Sequence, residues 1–150
     1  MKKIRRKYER PKKLFDKQRI EKDKELLKTY GLKAKKEIWL AEAILRKYRR
    51  LARELTGKED KEKERLVIGK LVKLGMLSDG ATLDDVLGLT IENILERRLQ
   101  TIVLRKGLAN TANHARQLIV HGHIVLDGKK MPYPSYLVSK EEESNIQIRK

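Results

Sequence analysis

The chain has 150 residues, with 37 lysines and arginines against 21 aspartates and glutamates, so its formal net charge is +16. It contains no cysteine, which excludes disulfide bonds, thiolate zinc sites and cysteine nucleophiles. No apolar run approaches the roughly 20 residues of a membrane span, and no apolar stretch follows the basic N-terminus as in a secretory signal. We therefore expect a cytoplasmic protein. Its length fits one domain with an appendage or two very small domains. Its positive charge favours a polyanionic partner.

The positive charge is concentrated in the N-terminal part of the chain. Residues 1–60 hold 22 basic and 10 acidic side chains, residues 61–94 hold 5 and 6, and residues 95–150 hold 10 and 5. Residues 1–19 carry ten of the basic residues, together with Pro11. This composition predicts an arm that is extended or disordered until a partner orders it, and it is typical both of nucleic-acid-binding arms and of solubilising tails.

Two helices are predicted next, at residues 19–29 and 37–55. Apolar residues recur at steps of three and four along one face of the second helix, which is the pattern of a buried helix face. Gly57 follows at the position of a left-handed C-cap. The residues of the apolar face are Ile38, Ala41, Leu45, Tyr48, Ala52 and Leu55.

The opposite face of the second helix carries one stripe of arginines, spaced i, i+3, i+4 and i+7. They are Arg46, Arg49, Arg50 and Arg53. An ordinary solvated face, partly paired by Glu42 and Glu54, is one interpretation. Solvated faces usually mix charges of both signs, however, so we favour contact with phosphate groups.

The middle of the chain contains signals for short helices. Residues 58–64 alternate in charge and predict a loop or an exposed helix start before an apolar helix at residues 66–74. Thr82 and Asp85 have the spacing of a capping box, and Thr90 is the predicted cap of the next helix.

Two further helices are predicted at residues 91–106 and 112–121, the second capped by Thr111. Both have an apolar face for the core and a polar face for solvent. The predicted inward residues are Ile91, Leu95, Leu99, Ile102, Val103, Ala115, Leu118 and Ile119, and the outward residues are Arg97, Thr101, Arg105, Asn113, Arg116 and Gln117.

The pattern then changes from helix to strand. Asp127 and Gly128 between two short β-prone runs indicate a hairpin with a type I′ turn. Residues 136–138 and 146–148 can each add a strand, whereas residues 141–143, all glutamate, are predicted to be a solvated loop. The fold class is therefore α+β, with a helical N-terminal region followed by two helices packed on a small β-sheet.

The outward side chains of the last two helices suit ribonucleic acid. Arginine donates in the planar, bidentate manner that matches phosphate, and Asn113, His114 and Gln117 can bond ribose hydroxyls or base edges. The helix N-terminus near Ala112 offers amide groups to a phosphate. On spacing alone, a helix-turn-helix DNA reader stays an alternative.

Several stretches resemble the S-four RNA-binding domain. They are LERRLQTIVLRKGLA at 95–109, HARQLI at 114–119, GHIVLDGK at 122–129 and PSYLV at 134–138. Upstream, DVLGLTIEN at 85–93 and KKEIWLAEAILRKYRRLAREL at 35–55 resemble the archaeal and eukaryotic branch of the ribosomal protein S-four family. Gln100 departs from the aspartate that many S-four domains have after the Arg-Leu pair. The expected organisation is a basic arm with a short helix at 1–36, a helical region at 37–94 and an S-four-like RNA-binding domain at 95–150.

The resemblance implies a structural protein of the small ribosomal subunit, which binds small-subunit ribosomal RNA directly, nucleates assembly of the subunit body and influences decoding accuracy. The implied partners are ribosomal protein S-five, other small-subunit proteins and mRNA near its entrance, with no membrane, small-molecule substrate, metal or cofactor. Carried over by position, the RNA-binding residues are Arg97, Arg98, Arg105, Lys106, Asn113, His114, Arg116, Gln117, His121, Lys129 and Lys130, with Arg46, Arg49, Arg50 and Arg53 in the N-terminal extension.

No arrangement of residues indicates catalysis. His114, His121 and His123 are the three histidines, and no carboxylate has the spacing that would complete a zinc site. An RNA-modifying enzyme stays an alternative because S-four domains also occur in pseudouridine synthases and tyrosyl-tRNA synthetases, but it would need a catalytic domain that no segment supplies. An assembly factor would be absent from mature subunits, and a DNA-binding regulator would bind duplex DNA as well as ribosomal RNA.

Overall fold

The computed structural model describes residues 7–13, 15–58 and 60–149. Over these ranges the chain forms eight helices and three strands, which confirms the α+β class. They are α1 (Lys17–Thr29), α2 (Lys35–Thr56), α3 (Lys61–Lys73), α4 (Leu83–Gly88), α5 (Ile91–Glu96), α6 (Leu99–Arg105), α7 (Ala112–Val120), β1 (Ile124–Leu126), β2 (Lys129–Lys130), α8 (Lys140–Ser144) and β3 (Ile146–Ile148). The predicted arm falls partly outside the described residues, at 1–6 and 14, and residues 7–13 belong to no helix or strand. None of the helices in the described ranges has the length and apolar character needed to cross a membrane.

The first hydrophobic core forms where α2 packs against α3, α4 and α5. Five of the six apolar residues predicted on α2 are buried, and the sixth, Tyr48, is half-buried, so that burial raises the pKa of its phenol. Leu71, Val86 and Leu95 contribute fully buried side chains from the other three helices, each stabilising the fold by about 2 kcal/mol. α1 joins the same core through Leu26.

The second hydrophobic core forms where α6 and α7 pack on the sheet. The strand order is β2-β1-β3, with both pairs antiparallel. Asp127 and Gly128 have φ values of 47° and 76°, which confirms the type I′ hairpin. The buried residues of this core are Leu99, Ile102, Val103, Ala109, Ala115, Ile119, Ile124, Leu126, Val138 and Ile146.

The prediction of one helix over residues 91–106 is wrong, because the structure interrupts it. α5 ends at Glu96 and α6 begins at Leu99, and Arg98 between them is extended, with φ −72° and ψ 141°. Neither glycine nor proline stands at this point, and the apolar spacing continues across it. Local sequence therefore contains no signal for the break.

Residues 136–138 stabilise the interruption by pairing with it. The Val138 amide donates to the Arg97 carbonyl (3.0 Å), and the Leu99 amide donates to the Tyr136 carbonyl (2.8 Å). These tertiary hydrogen bonds satisfy backbone groups that a continuous helix would pair internally. The segment consequently forms one isolated β-bridge with the break, and the prediction that it adds a strand is wrong.

Capping residues determine where several helices begin. The capping box at Thr82 and the cap at Thr90 are confirmed, the second as a box completed by Asn93. A further box joins Ser139 and Glu142. It starts α8, so the prediction that residues 141–143 form a loop is wrong.

The connection between α2 and α3 differs from the prediction in one respect. Gly57 has φ −81° and ψ −16°, so it is right-handed, and the predicted left-handed cap is wrong. The Asp60 carboxylate accepts a hydrogen bond from the Lys63 amide (3.3 Å). α3 begins one residue later, inside the segment predicted as a loop or helix start.

Candidate nucleic-acid interface

A surface depression of about 620 Å³ lies between the α1–α2 turn and the exposed face of α7. It is lined by Gly31, Lys33, Thr111, Asn113, His114, Arg116, Gln117, Val120 and His121. Five of the residues predicted to bind RNA thus share one concave surface. Lys33 was not among them, because it is one of many lysines near the N-terminus and nothing in the sequence places it beside α7.

Close packing of the α1–α2 turn against α7 creates this depression. Gly31 has φ +58°, and a Cβ atom there would lie 2.6 Å from the Cβ of Ala112, so the approach requires glycine. The buried side-chain amide of Gln100 donates to the carbonyls of Gly31 (3.0 Å) and Ala112 (2.9 Å). An ionised aspartate, the residue of many S-four domains here, has no proton to donate to either carbonyl.

A shared carboxylate holds two of the predicted RNA-binding arginines. Glu37 on α2 accepts hydrogen bonds from Arg98 (2.5 Å) and from Arg116 on α7 (3.0 Å). Burial alone would raise the pKa of the Glu37 carboxyl, but the hydrogen bonds and charges of the two arginines hold that pKa below its usual value. Arg98 is buried in this ion pair, and its contact with RNA stays a prediction. Arg116 is half-buried and still reaches the depression.

Arg97 also faces inward, and its predicted outward position is wrong. Its guanidinium donates to the Glu143 carboxylate (2.8 Å) and to the Val138 carbonyl (3.0 Å). A Cβ atom at Gly75 would lie 3.1 Å from the Arg97 Cζ, so the side chain is also packed against the turn after α3. The helix break turns this arginine from solvent into the protein. Thr101 is likewise half-buried and donates to the Leu95 carbonyl (2.7 Å).

Four predicted cations are exposed but do not line the depression. Arg105 lies 3.5 Å from Glu96, and Lys106 donates to the Glu143 carbonyl. Lys129 and Lys130 are exposed on β2. The aliphatic stem of Lys130 lies beside the turn that ends α7, because a Cβ atom at Gly122 in that turn would be 3.8 Å from its Cδ.

The arginine stripe of α2 forms a separate groove of about 610 Å³ with the N-terminal segment. It is lined by Lys7, Tyr8, Glu9, Ala43, Arg46, Lys47, Arg50 and Arg53. Three of the four predicted arginines are therefore on this surface, and Arg46 pairs with Glu9 (3.0 Å). Arg49 instead turns away from the groove and donates to the Leu89 carbonyl (2.6 Å).

In the ranges described, no three histidine, aspartate or glutamate side chains are placed to hold a metal ion.

Comparison with known proteins identifies relatives over nearly the whole chain. A family model described as the S4 domain matches residues 97–144. The small ribosomal subunit protein uS4 of Nanoarchaeum equitans is 53% identical over 150 residues, covering 96% of this chain and 83% of that protein. The proteins of the same name from Methanothermobacter thermautotrophicus and Saccharolobus islandicus are 49% and 50% identical, covering 96% and 97% of this chain and 86% and 82% of those proteins. With such identity over nearly its full length, and in agreement with the resemblance in its motifs, the chain belongs to the uS4 family of small ribosomal subunit proteins.

Proposed function

We propose that this chain is a structural constituent of the small ribosomal subunit and that it binds small-subunit ribosomal RNA directly. The observation that carries the proposal is the depression between the α1–α2 turn and α7. Amide, imidazole and cationic side chains line it, and none of its lining residues within the described part of the chain is acidic. Phosphate and ribose hydroxyls are the groups that such donors recognise.

The groove along α2 supplies a second cationic surface in this proposal. Arg50, Arg53 and Lys47 are exposed there. Glu9 at its edge pairs with Arg46, and a phosphate group would take the place of that carboxylate. Because both surfaces present cations to a polyanion, we expect binding to weaken steeply as salt rises.

The more specific roles rest on the resemblance to the family. They are early nucleation of the subunit body, an influence on decoding accuracy, contacts with ribosomal protein S-five, other small-subunit proteins and mRNA near its entrance, and residence on cytoplasmic ribosomes. The division of the chain into a basic arm at 1–36, a helical region at 37–94 and an RNA-binding domain at 95–150 is also a proposal. α1 packs on the same core as α2, so residues 17–36 share packing with the helical region that follows.

Substitution of Lys33 tests the depression directly. We expect Lys33→Gln to weaken binding of small-subunit ribosomal RNA about tenfold and to reduce the slope of log affinity against log salt by about 1, because one phosphate contact is lost. The matched control is Lys24→Gln, which removes an exposed lysine of α1 that does not line the depression. Filter binding or fluorescence anisotropy over a series of salt concentrations measures both quantities.

Equal losses in the two variants would show that the lysines act only through net charge, and the depression would not be the RNA site.

Competition with duplex DNA addresses the DNA-binding alternative. We expect it to displace ribosomal RNA poorly, because the side chains of the depression suit ribose hydroxyls and irregular shape. Displacement at equal concentration would overturn the assignment to RNA.

A further inference from the structure

An exposed apolar side chain lies among the polar residues of the depression at α7. Val120 lines the depression and is 55% exposed, whereas Ala115 and Ile119 of the same helix are buried. Phosphate groups and ribose hydroxyls are bound by cations and hydrogen-bond donors, and an apolar neighbour adds nothing to either. Single apolar side chains are common on protein surfaces, so the meaning of Val120 depends on the groups around it.

Two side-chain amides lie on the same face of α7 as Val120. Asn113, Gln117 and Val120 follow one another at steps of four and three residues, which places them along one line of the helix. Asn113 and Gln117 are exposed, and neither side-chain amide is hydrogen-bonded to any residue that the structure describes. Each amide presents a donor beside an acceptor, an arrangement that is complementary to the edges of nucleobases.

Two histidines add planar rings to this lining. His114 and His121 are exposed near opposite ends of α7. The Asn110 amide donates to the His114 Nδ1 (3.4 Å), and His121 directly follows Val120 as the C-terminal cap of α7. Histidine is one of the side chains on which unpaired RNA bases stack. The lining therefore combines ring faces, an apolar contact and unpaired amides.

The shape of the depression favours an unpaired nucleotide over a duplex. Its volume of about 620 Å³ falls within the roughly 300–1,000 Å³ of pockets that enclose small organic ligands. In an A-form duplex the bases are paired and stacked, and proteins contact mainly ribose and phosphate, so a duplex has no apolar face for Val120. An unpaired nucleotide has a base face, a base edge and a phosphate, and the exposed Lys33 on the α1–α2 turn supplies a cation for the phosphate.

We propose that the depression at α7 binds one unpaired RNA nucleotide. The base packs against Val120 and His121, and the amides of Asn113 and Gln117 form hydrogen bonds with its edge. The phosphate of the nucleotide pairs with Lys33. This inference rests on the proposed function, because it names the part of the RNA that the depression recognises.

The test compares two RNA hairpins that differ by one base. Both have the same short stem with one bulged residue, which is adenosine in the first hairpin and an abasic ribose in the second, so the number of phosphates is equal. Fluorescence anisotropy with the full chain measures the affinity for each labelled hairpin. We expect the hairpin with the bulged adenosine to bind about tenfold more tightly, because contacts with the face of one base contribute about this much.

Variants of the lining test whether this preference arises in the depression. Val120→Ser and Gln117→Ala should each reduce it to about threefold, with the affinity for the abasic hairpin unchanged. The matched controls are Leu66→Ser and Gln18→Ala, at exposed helical residues that do not line the depression, and both should retain the full preference. Lys33→Gln should weaken binding of both hairpins equally, because both carry the phosphate.

The outcomes distinguish this inference from the proposed function. Equal affinity for the two hairpins, or no binding of either, would overturn the inference alone if small-subunit ribosomal RNA still binds and Lys33→Gln still weakens that binding. A preference that stays tenfold in both Val120→Ser and Gln117→Ala would also overturn it, since the base would then bind elsewhere. Failure to bind small-subunit ribosomal RNA would overturn both. Circular dichroism shows whether Val120→Ser is folded, and Gln117→Ala, at an exposed residue, decides the outcome if it is not.

Discussion

Glu37 shows how one half-buried carboxylate can hold two arginines from different elements. It is a single carboxylate shared by two guanidinium groups from different elements, Arg98 and Arg116. Removing it would leave Arg98, which is 5% exposed, without a counter-ion, and breaking one side of a buried ion pair is more costly than the pair is stabilising. The side chain thus connects α2 of the first core to α7 of the second core.

We predict that Glu37→Gln lowers the free energy of unfolding by about 2 kcal/mol at neutral pH. Because the pKa of Glu37 is lowered in the folded chain, its ionised form stabilises the protein fully above the ordinary glutamate pKa. That contribution is lost as the pH falls from the ordinary value through the lowered one. The difference between the original chain and the variant should therefore be constant near neutrality and shrink in acid.

Urea unfolding at a series of pH values measures this difference. Glu21→Gln is the control, since this exposed carboxylate has no ion pair among the described residues, and it should change the free energy of unfolding by less than about 0.5 kcal/mol at every pH. A Glu37→Gln effect that persists unchanged in acid would mean that the ionised carboxylate is not its cause.

At the scale of elements, caps proved more informative than composition. The three adjacent glutamates of α8 suggest a solvated loop, yet Ser139 begins a helix there because its hydroxyl accepts from the Glu142 amide (3.2 Å) and Glu142 accepts from the Ser139 amide (2.8 Å). Acidic residues in a first helical turn also interact favourably with the helix dipole. The sequence contains the Ser139–Glu142 spacing of a capping box, but the run of three glutamates at 141–143 favoured the interpretation as a loop.

We predict that Ser139→Ala lowers the free energy of unfolding by about 1 kcal/mol, because the variant loses the cap of α8. Glu143 in the same helix pairs with Arg97, so fraying should also increase hydrogen exchange at the break between α5 and α6. Ser78→Ala, in an exposed loop, is the matched control. Similar unfolding midpoints for the two variants would contradict a stabilising role of the capping box.

At the scale of the whole molecule, two hydrophobic cores are joined by polar contacts, and cationic surfaces lie on both. Gln100 and Glu37 make the joining contacts, from Gln100 to the α1–α2 turn and from Glu37 to α7. The chain belongs to a structural family of ribosomal proteins, which confirms the prediction that it is not an enzyme.

We predict that the N-terminal arm is cleaved by trypsin in the free protein and protected when small-subunit ribosomal RNA is bound. Lys7, Lys12 and Lys13 are exposed cleavage sites, and Lys7 lines the groove of the α2 arginines, so bound RNA would cover this segment. Mass spectrometry of the fragments over time measures the protection, with duplex DNA of equal length as the control. Equal cleavage with and without RNA would contradict the prediction that bound RNA orders the N-terminal arm.

The sequence by itself determined the features that depend on neighbours along the chain. Helical periodicity located the apolar face of α2, threonine caps located α4, α5 and α7, and Asp127 with Gly128 specified the hairpin turn. The motifs also identified the family. Each of these signals lies within a few residues, where local sterics and hydrogen bonding act.

Only the tertiary structure decided which polar residues face solvent. Arg97 and Arg98 are buried because residues 136–138, distant in sequence, interrupt the helix that contains them. Lys33 joins the depression at α7 because Gly31 allows its turn to approach Ala112. Such contacts form between segments far apart in the chain, and the spacing within either segment carries no information about them.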